Sequence, residues 1–239
     1  FVIEAGSSKN NLSKFVTWHA NTRNIKKNGL RFPRGMNYGL YNLWKEDLFN
    51  KYTAFFLITN DTVIKNKKTL KILYSIILKN KKIGILSPCS KKWGENKLLK
   101  KNNIKFSWYI HNHAYLLSKN FLLKIVNPMS GYKNFLYDGS NFRGYGLESE
   151  LIAKAYANNF AAAITNQVYV EENEDYLLNY NDLIKTENYS KNLKLTYDEG
   201  LKWMRRKYGF NNKWLLQNYV KLFYDNFFVN YPEYEKYKI

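Results

Sequence analysis

An α/β fold is predicted by three features of this sequence. Apolar runs of strand length occur at Thr53–Ile58 and Ile83–Leu86. Between and after them lie segments whose apolar residues recur at helical spacing, and this alternation of periods is the mark of α/β architecture. From Asn179 onward strand-like runs disappear and only helical spacing remains.

The elements follow in order. Phe1–Glu4 is a short apolar run that stops at Ala5-Gly6-Ser7-Ser8, a strand entering a turn at its carboxyl end. Such a run rarely opens a domain. Asn28-Gly29 and Pro33-Arg34-Gly35 mark a loop, and Met36, Leu40, Leu43 and Leu48 stand near helical spacing. Thr53–Ile58 is apolar at nearly every position, which predicts a central parallel strand buried on both faces. Leu70, Ile72, Leu73, Ile76 and Ile77 form one helical stripe between Lys67 and Lys79, and Ile83–Leu86 is the next strand. Trp108–Leu117 is apolar and aromatic, and Leu147–Asn159 predicts an amphipathic helix with Leu151, Ile152, Ala155 and Tyr156 on one face. Tyr197–Tyr208 and Lys213–Phe228 read as aromatic-rich helices. The expected organisation is a mostly parallel sheet with flanking helices over residues 1–178 and a helical appendage over 179–239.

Composition narrows the classes. An apolar fraction of 45% with 18% aromatics excludes a disordered chain, and with 4 Pro, 12 Gly and no low-complexity linker one compact body is expected. Cys89 has no partner for a disulfide, and no Cys/His cluster has zinc spacing, which suits a reducing compartment such as the cytoplasm. No apolar run approaches the roughly 20 residues of a spanning helix. The formal charge is +19, and between Lys65 and Lys105 thirteen lysines accompany one acid, Glu95. That surplus asks for an anionic partner: nucleic acid, anionic lipid headgroups or a phosphorylated acceptor. No RRM, KH, zinc-finger or helix-turn-helix signature accompanies the lysines, so nucleic acid is not the expected partner.

Two places carry chemistry. Thr53–Ile58 ends in Thr59-Asn60-Asp61-Thr62, and ligands in open α/β sheets bind beyond the carboxyl ends of strands. Asp61 there either holds a divalent cation, which in turn holds a diphosphate, or caps a turn or helix. Gly144-Tyr145-Gly146 precedes Glu148 and Glu150 in the first turn of a helix. Those carboxylates either accept a proton or complement the helix dipole. His111 and His113 at i, i+2 on a strand share a face and suit phosphate or sugar hydroxyls; alternatively one of them is a hydrogen-bonded core histidine.

Together these segments resemble the family 2 glycosyltransferases. The family's ordered motifs match Ile3-Glu4-Ala5-Gly6-Ser7, Phe32–Leu40, Ile58-Thr59-Asn60-Asp61-Thr62, Gly84-Ile85-Leu86-Ser87-Pro88 and Tyr145–Leu151, covering roughly residues 1 to 172. The resemblance implies a GT-A fold whose first strand and helix, on the order of 35 residues, would precede Phe1. It implies a nucleotide-sugar donor, UDP-linked, contacted by Glu4, Arg34, Gly35, Asn37 and Asn60. Asp61 would ligand Mn²⁺ or Mg²⁺, joined by Glu171 where the family has a late metal-binding His. Glu148 would be the base of an inverting transfer, and His111, His113 and Glu150 would face the acceptor. Thr59 and Leu147 depart from the family's usual acids. The alternative within the same fold is a sugar-nucleotide-binding relative or a nucleotidyltransferase.

The charge predicts where the acceptor is met. Lysines favour an anionic membrane surface, so the expected acceptor is a bacterial surface glycan or its lipid-linked precursor at the cytoplasmic face. Trp203, Trp214, Phe223, Tyr224, Phe227 and Phe228 suit a headgroup region, but their spacing fits burial equally well.

Overall fold

A computed structural model of the chain describes residues 1–92, 94–100, 103–111, 113–173 and 187–239. It is α/β, as expected, and the chain divides into two compact units. The first comprises Phe1–Lys51, Val126–Leu147 and Tyr180–Gly209, the second Tyr52–Ile125, Glu148–Asn179 and Phe210–Ile239. The C-terminal helices, expected as one appendage, are shared out between the two. The expected boundary at residue 178 lies outside the described residues.

In the first unit β1 (Ile3–Ala5) pairs parallel with β2 (Trp18–Ala20). Helix α1 (Arg23–Asn28) packs Ile25 with Ala20 and Leu30 in a small core that Ile3 and Ala5 border. Helix α2 spans Arg31–Lys45, so the expected loop at Pro33-Arg34-Gly35 is its first turn. Proline costs nothing there, because first-turn N–H groups have no partner within the helix.

Asn37 of α2 is fully buried and joins two segments of this unit. Its amide donates to Lys133 O at 3.1 Å and Tyr137 O at 2.8 Å, and its oxygen accepts from the N–H groups of Leu136 and Tyr137. Helix α6 (Tyr189–Tyr208) starts earlier than its apolar spacing suggests, because the Asn188 side chain accepts from Lys191 N and caps it. Gly200 lets α6 approach closely: a Cβ there would lie 2.6 Å from Tyr145 Cβ. Asp138 accepts from Trp203 Nε1 at 3.0 Å and Lys207 Nζ at 2.9 Å. Burial raises its pKa, but the hydrogen bonds from Ser140, Trp203 and Lys207 outweigh that and hold it well below the usual carboxylate range.

The second unit holds a five-stranded sheet of order β3 (Ala54–Ile58), β7 (Ala114–Ser118), β5 (Ile83–Cys89), β8 (Ala161–Tyr169) and β6 (Ile104–Phe106). The sheet is mixed, which corrects the mostly parallel arrangement expected: only β5 and β8 pair parallel. A second correction concerns β3. It is outermost in the sheet with Phe55 alone buried, while β5, buried at every position, is the central strand. An unbroken apolar run does not distinguish the two positions, since only the tertiary neighbours decide how many faces are covered.

Helix α3 (Thr69–Lys79) buries Leu73, Ile76 and Ile77, while Leu70 is outside the buried stripe. Helix α4 (Lys119–Ile125) follows β7, and α5 (Leu147–Ala157) precedes β8. Helix α7 (Lys213–Asn230) is capped by the Asn212 side chain, which accepts from Leu215 N. Its Tyr224, Phe227 and Phe228 are core, and a 3-10 turn at Pro232–Tyr237 brings Tyr237 to stack on Phe106 with ring centroids 5.0 Å apart. Like Trp203 in the first unit, these aromatics serve packing, so the headgroup reading of the C-terminal helices falls for them.

Two variants test the first unit. Asn37→Ala strips four hydrogen bonds to backbone, three of them buried, and its urea midpoint should correspond to a loss of about 3 kcal/mol. Asp138→Asn should be milder at neutral pH. The stability Asp138 contributes is present above the ordinary aspartate pKa and lost as pH falls through its depressed folded value. Acid unfolding of the Asn variant should therefore be less steep than that of the wild type.

Candidate functional site

Strand direction gathers the candidate residues of the second unit. Strands β3 and β5 both run antiparallel to β7, and β8 runs parallel to β5. The carboxyl ends of β3, β5 and β8 therefore share one sheet edge with the amino end of β7. Asp61 follows β3, Ser90 follows β5, Glu171 follows β8 and His113 precedes β7. The edge is tied by β4 (Thr62–Val63) pairing antiparallel with β9 (Glu171–Glu172), which sets Thr62 opposite Glu172.

The turn carrying Asp61 is closed by hydroxyls. Thr59 Oγ1 donates to Asp61 Oδ1, Thr62 Oγ1 donates to His113 O at 2.8 Å, and Thr59 N donates to the same carbonyl at 3.1 Å. Asn60 is exposed at the tip. His113 Nε2 is 3.8 Å from Glu172 Oε2, and its ring stacks on that of His111 with centroids 5.8 Å apart. Burial, then the neighbouring His111 ring, hold the His113 pKa below the usual histidine value, against the pull of Asp61, Glu95 and Glu171. His111 takes the alternative role of a core histidine. It is buried, with Nε2 2.6 Å from Glu95 Oε2.

Glu171 is hydrogen-bonded through both carboxylate oxygens. One oxygen accepts from Ser90 Oγ at 2.6 Å and the other from Lys91 N at 2.9 Å, so it stitches β9 to the end of β5. Glu172 faces His113, and the charge of Asp61 is felt by the same imidazole. Among the described residues no group of three or more His, Cys, Asp or Glu side chains could hold a metal. Beside the edge is a cavity of about 210 Å³, lined by Val63, Lys65, Asn66, Lys91, Tyr169 and Glu171 among others.

Glu148 and Glu150 occupy the first turn of α5, entered through Gly144 and Gly146 with φ of 91° and 88°, a left-handed path that favours glycine. The helix is buried almost all round, so both acids lie inside the protein instead of on a polar face. Glu148 is 2% exposed and pairs with Lys213 at the start of α7, and Glu150 is 3.8 Å from Lys154. A chain of contacts leads from Glu148 towards the sheet edge. Lys213 Nζ lies 5.9 Å from the Tyr109 ring centroid, and Tyr109 meets His111 edge-on at 5.3 Å.

The remaining candidates belong to the first unit. Glu4 on β1 accepts from Ser7 Oγ at 3.0 Å and Ser13 N at 3.4 Å. Arg34 donates through Nε to Gly139 O at 2.9 Å, with its guanidinium 4.7 Å from the Phe142 ring centroid. A Cβ on Gly35 would meet nothing within 4 Å, so its small size is not required by packing. Asn37 has its amide engaged with backbone through four hydrogen bonds.

Comparison with protein-family models, with curated proteins and with solved structures finds no match.

Two residues of the site have no counterpart in the motif reading: Glu95 and Lys213. Glu95 carried a signal, as the one acid among thirteen lysines. Lys213 carried none, because its role depends on where α7 packs. Lys213→Met takes the ammonium from a buried carboxylate and should cost roughly 3 kcal/mol in denaturant unfolding, mostly recovered by adding Glu148→Gln. For His113, an imidazole NMR titration should give a midpoint below the ordinary histidine value. Its contribution to stability should be present above that ordinary value and fade as pH falls towards the folded midpoint.

Proposed function

We propose that the chain is a glycosyltransferase that moves a sugar from a nucleotide-sugar donor to an acceptor hydroxyl, with a GT-A type of fold. The observation that carries this reading is the meeting of Asp61, His113 and Glu172 at one sheet edge. The buried Glu148 of the Gly-rich turn is linked to that edge through Lys213, Tyr109 and His111. The order of the sequence motifs supports it independently.

In the proposed reaction the bond between the anomeric carbon and the diphosphate oxygen breaks, and a bond from the acceptor oxygen to that carbon forms. The acceptor's proton passes to a Glu148 carboxylate oxygen, and the nucleoside diphosphate leaves. A divalent cation held by Asp61 with Glu172 would supply counter-charge for the diphosphate. The chain's own part is to place the base: Lys213 fixes the Glu148 side chain, and burial excludes water that would compete for the sugar. A sugar-nucleotide-binding relative without transfer is the second reading, favoured by the Glu148–Lys213 pair, which engages the carboxylate that must accept the proton.

A panel of UDP-, GDP-, CMP- and dTDP-sugars, screened by thermal shift with and without Mn²⁺, identifies the donor. Asp61→Asn should abolish the metal-dependent part of the shift. Glu148→Gln should retain the shift and lower transfer by about a hundredfold or more, because it keeps the shape and loses the base. Donor binding without transfer by the wild type would select the second reading, and no shift with any donor would sink both.

A further inference from the structure

Helix α3 presents a second apolar face to solvent. Leu73, Ile76 and Ile77 are turned inward, while Leu70 and Leu78 are 53% and 44% exposed, with half-buried Tyr74 between them. The three residues are spaced i, i+4, i+8 and so form one stripe. Along its edge stand Lys71, Ser75 and Lys79, all exposed, and Lys65, Lys67 and Lys68 precede the helix. No Asp or Glu occurs from residue 62 to residue 94. Lys82 lies 3.5 Å from the Tyr231 ring centroid and belongs to the core side instead.

At the foot of this stripe is a recess of about 160 Å³. Leu78, Lys81, Lys119, Asn120, Thr53 and Tyr74 line it, and no carboxylate does. The Thr53 and Tyr74 hydroxyls are hydrogen-bonded at 2.8 Å. A small recess lined by two lysines, hydroxyl residues and an asparagine, with no acid, suits a phosphate-sized anion. Beside it are leucines that water does not favour. A partner that is anionic at its surface and apolar just beneath answers both features, and a bilayer containing anionic phospholipid has that layering.

We propose that the outward face of α3, with the recess at its foot, docks the protein on an anionic phospholipid bilayer. Thr53 immediately precedes β3, and Ser118, which also lines the recess, closes β7, so the recess is at the opposite end of the strands from Asp61 and His113. Five residues of strand separate the two by roughly 17 Å. The surface therefore tethers the protein and does not feed the site directly. No helix among the described residues is long and apolar enough to cross a membrane.

The test is co-sedimentation with vesicles of phosphatidylcholine alone or mixed with phosphatidylglycerol, at low and high salt. Wild type should sediment only with the mixed vesicles, and high salt should release most of it, since screening removes the attraction. Lys71→Glu/Lys81→Glu and Leu70→Ser/Leu78→Ser should each weaken partitioning at least tenfold, with melting temperatures confirming that they fold. Lys9→Glu/Lys14→Glu, which makes the same charge change at exposed lysines of the first unit, should keep partitioning within about threefold of wild type. An equal loss in that control would mean diffuse attraction to net charge and would overturn the proposal. So would wild type that ignores the mixed vesicles at low salt, or serine variants that bind as wild type does. If the serine variants fail to fold, the comparison of the two lysine pairs decides. No step measures transfer, so the outcome is independent of the proposed activity.

Discussion

A carboxylate buried in this protein has to bring its own donor with it, because an unpaired charge away from water is too costly to keep. Much of the architecture meets that demand. Glu148 holds Lys213 at the start of α7, Glu95 holds His111, and Glu171 fastens β9 to the end of β5 through Ser90 and Lys91. In the first unit Glu187 lies between Arg31 and Arg143, at 2.6 and 2.8 Å, and Arg143 also meets Glu199. The same accounting bears on the charge of +19. These acids are engaged with partners, while lysines such as Lys67, Lys68 and Lys71 beside α3 stay exposed.

The candidate site depends on this as much as the fold does. His111 and His113 are two residues apart with rings stacked, yet they have different duties. His111 is fixed by Glu95 in the interior, and that contact positions the segment from which His113 reaches the sheet edge. Glu171 and Glu172 are divided the same way: one carboxylate fastens a strand end and the other faces the imidazole. For Glu171 and Glu172, neighbours on β9, the division follows the opposite faces that successive strand residues occupy.

What was legible in the sequence follows from whether the signal was local. The helices over 147–157 and 213–230 rest on periodicity, which is a local signal. The placing of Asp61 after a strand is local as well. Strand direction is not, since nothing in Ala54–Ile58 states that its neighbour runs antiparallel or that it lies outermost. For the same reason Leu70 could be assigned to the core from spacing although it faces solvent. A helix with apolar residues over more than half its circumference leaves its orientation to its neighbours. Lys213 and Tyr109 join the site only through packing, which no motif encodes.

Cys89 closes the central strand β5, fully buried, and burial followed by the charge of Glu95 pushes its pKa up to about 12. At neutral pH its thiolate is scarce and shielded, so electrophilic reagents that need an exposed thiolate find no target on the native chain. The protein is in effect free of background labelling without any substitution. A spin label or fluorophore can therefore be directed to one cysteine introduced at a chosen surface position. Any native reactivity towards such a reagent would then report the opening of β5 rather than surface chemistry, which turns the sole sulfhydryl into a built-in gauge of local unfolding at the centre of the sheet.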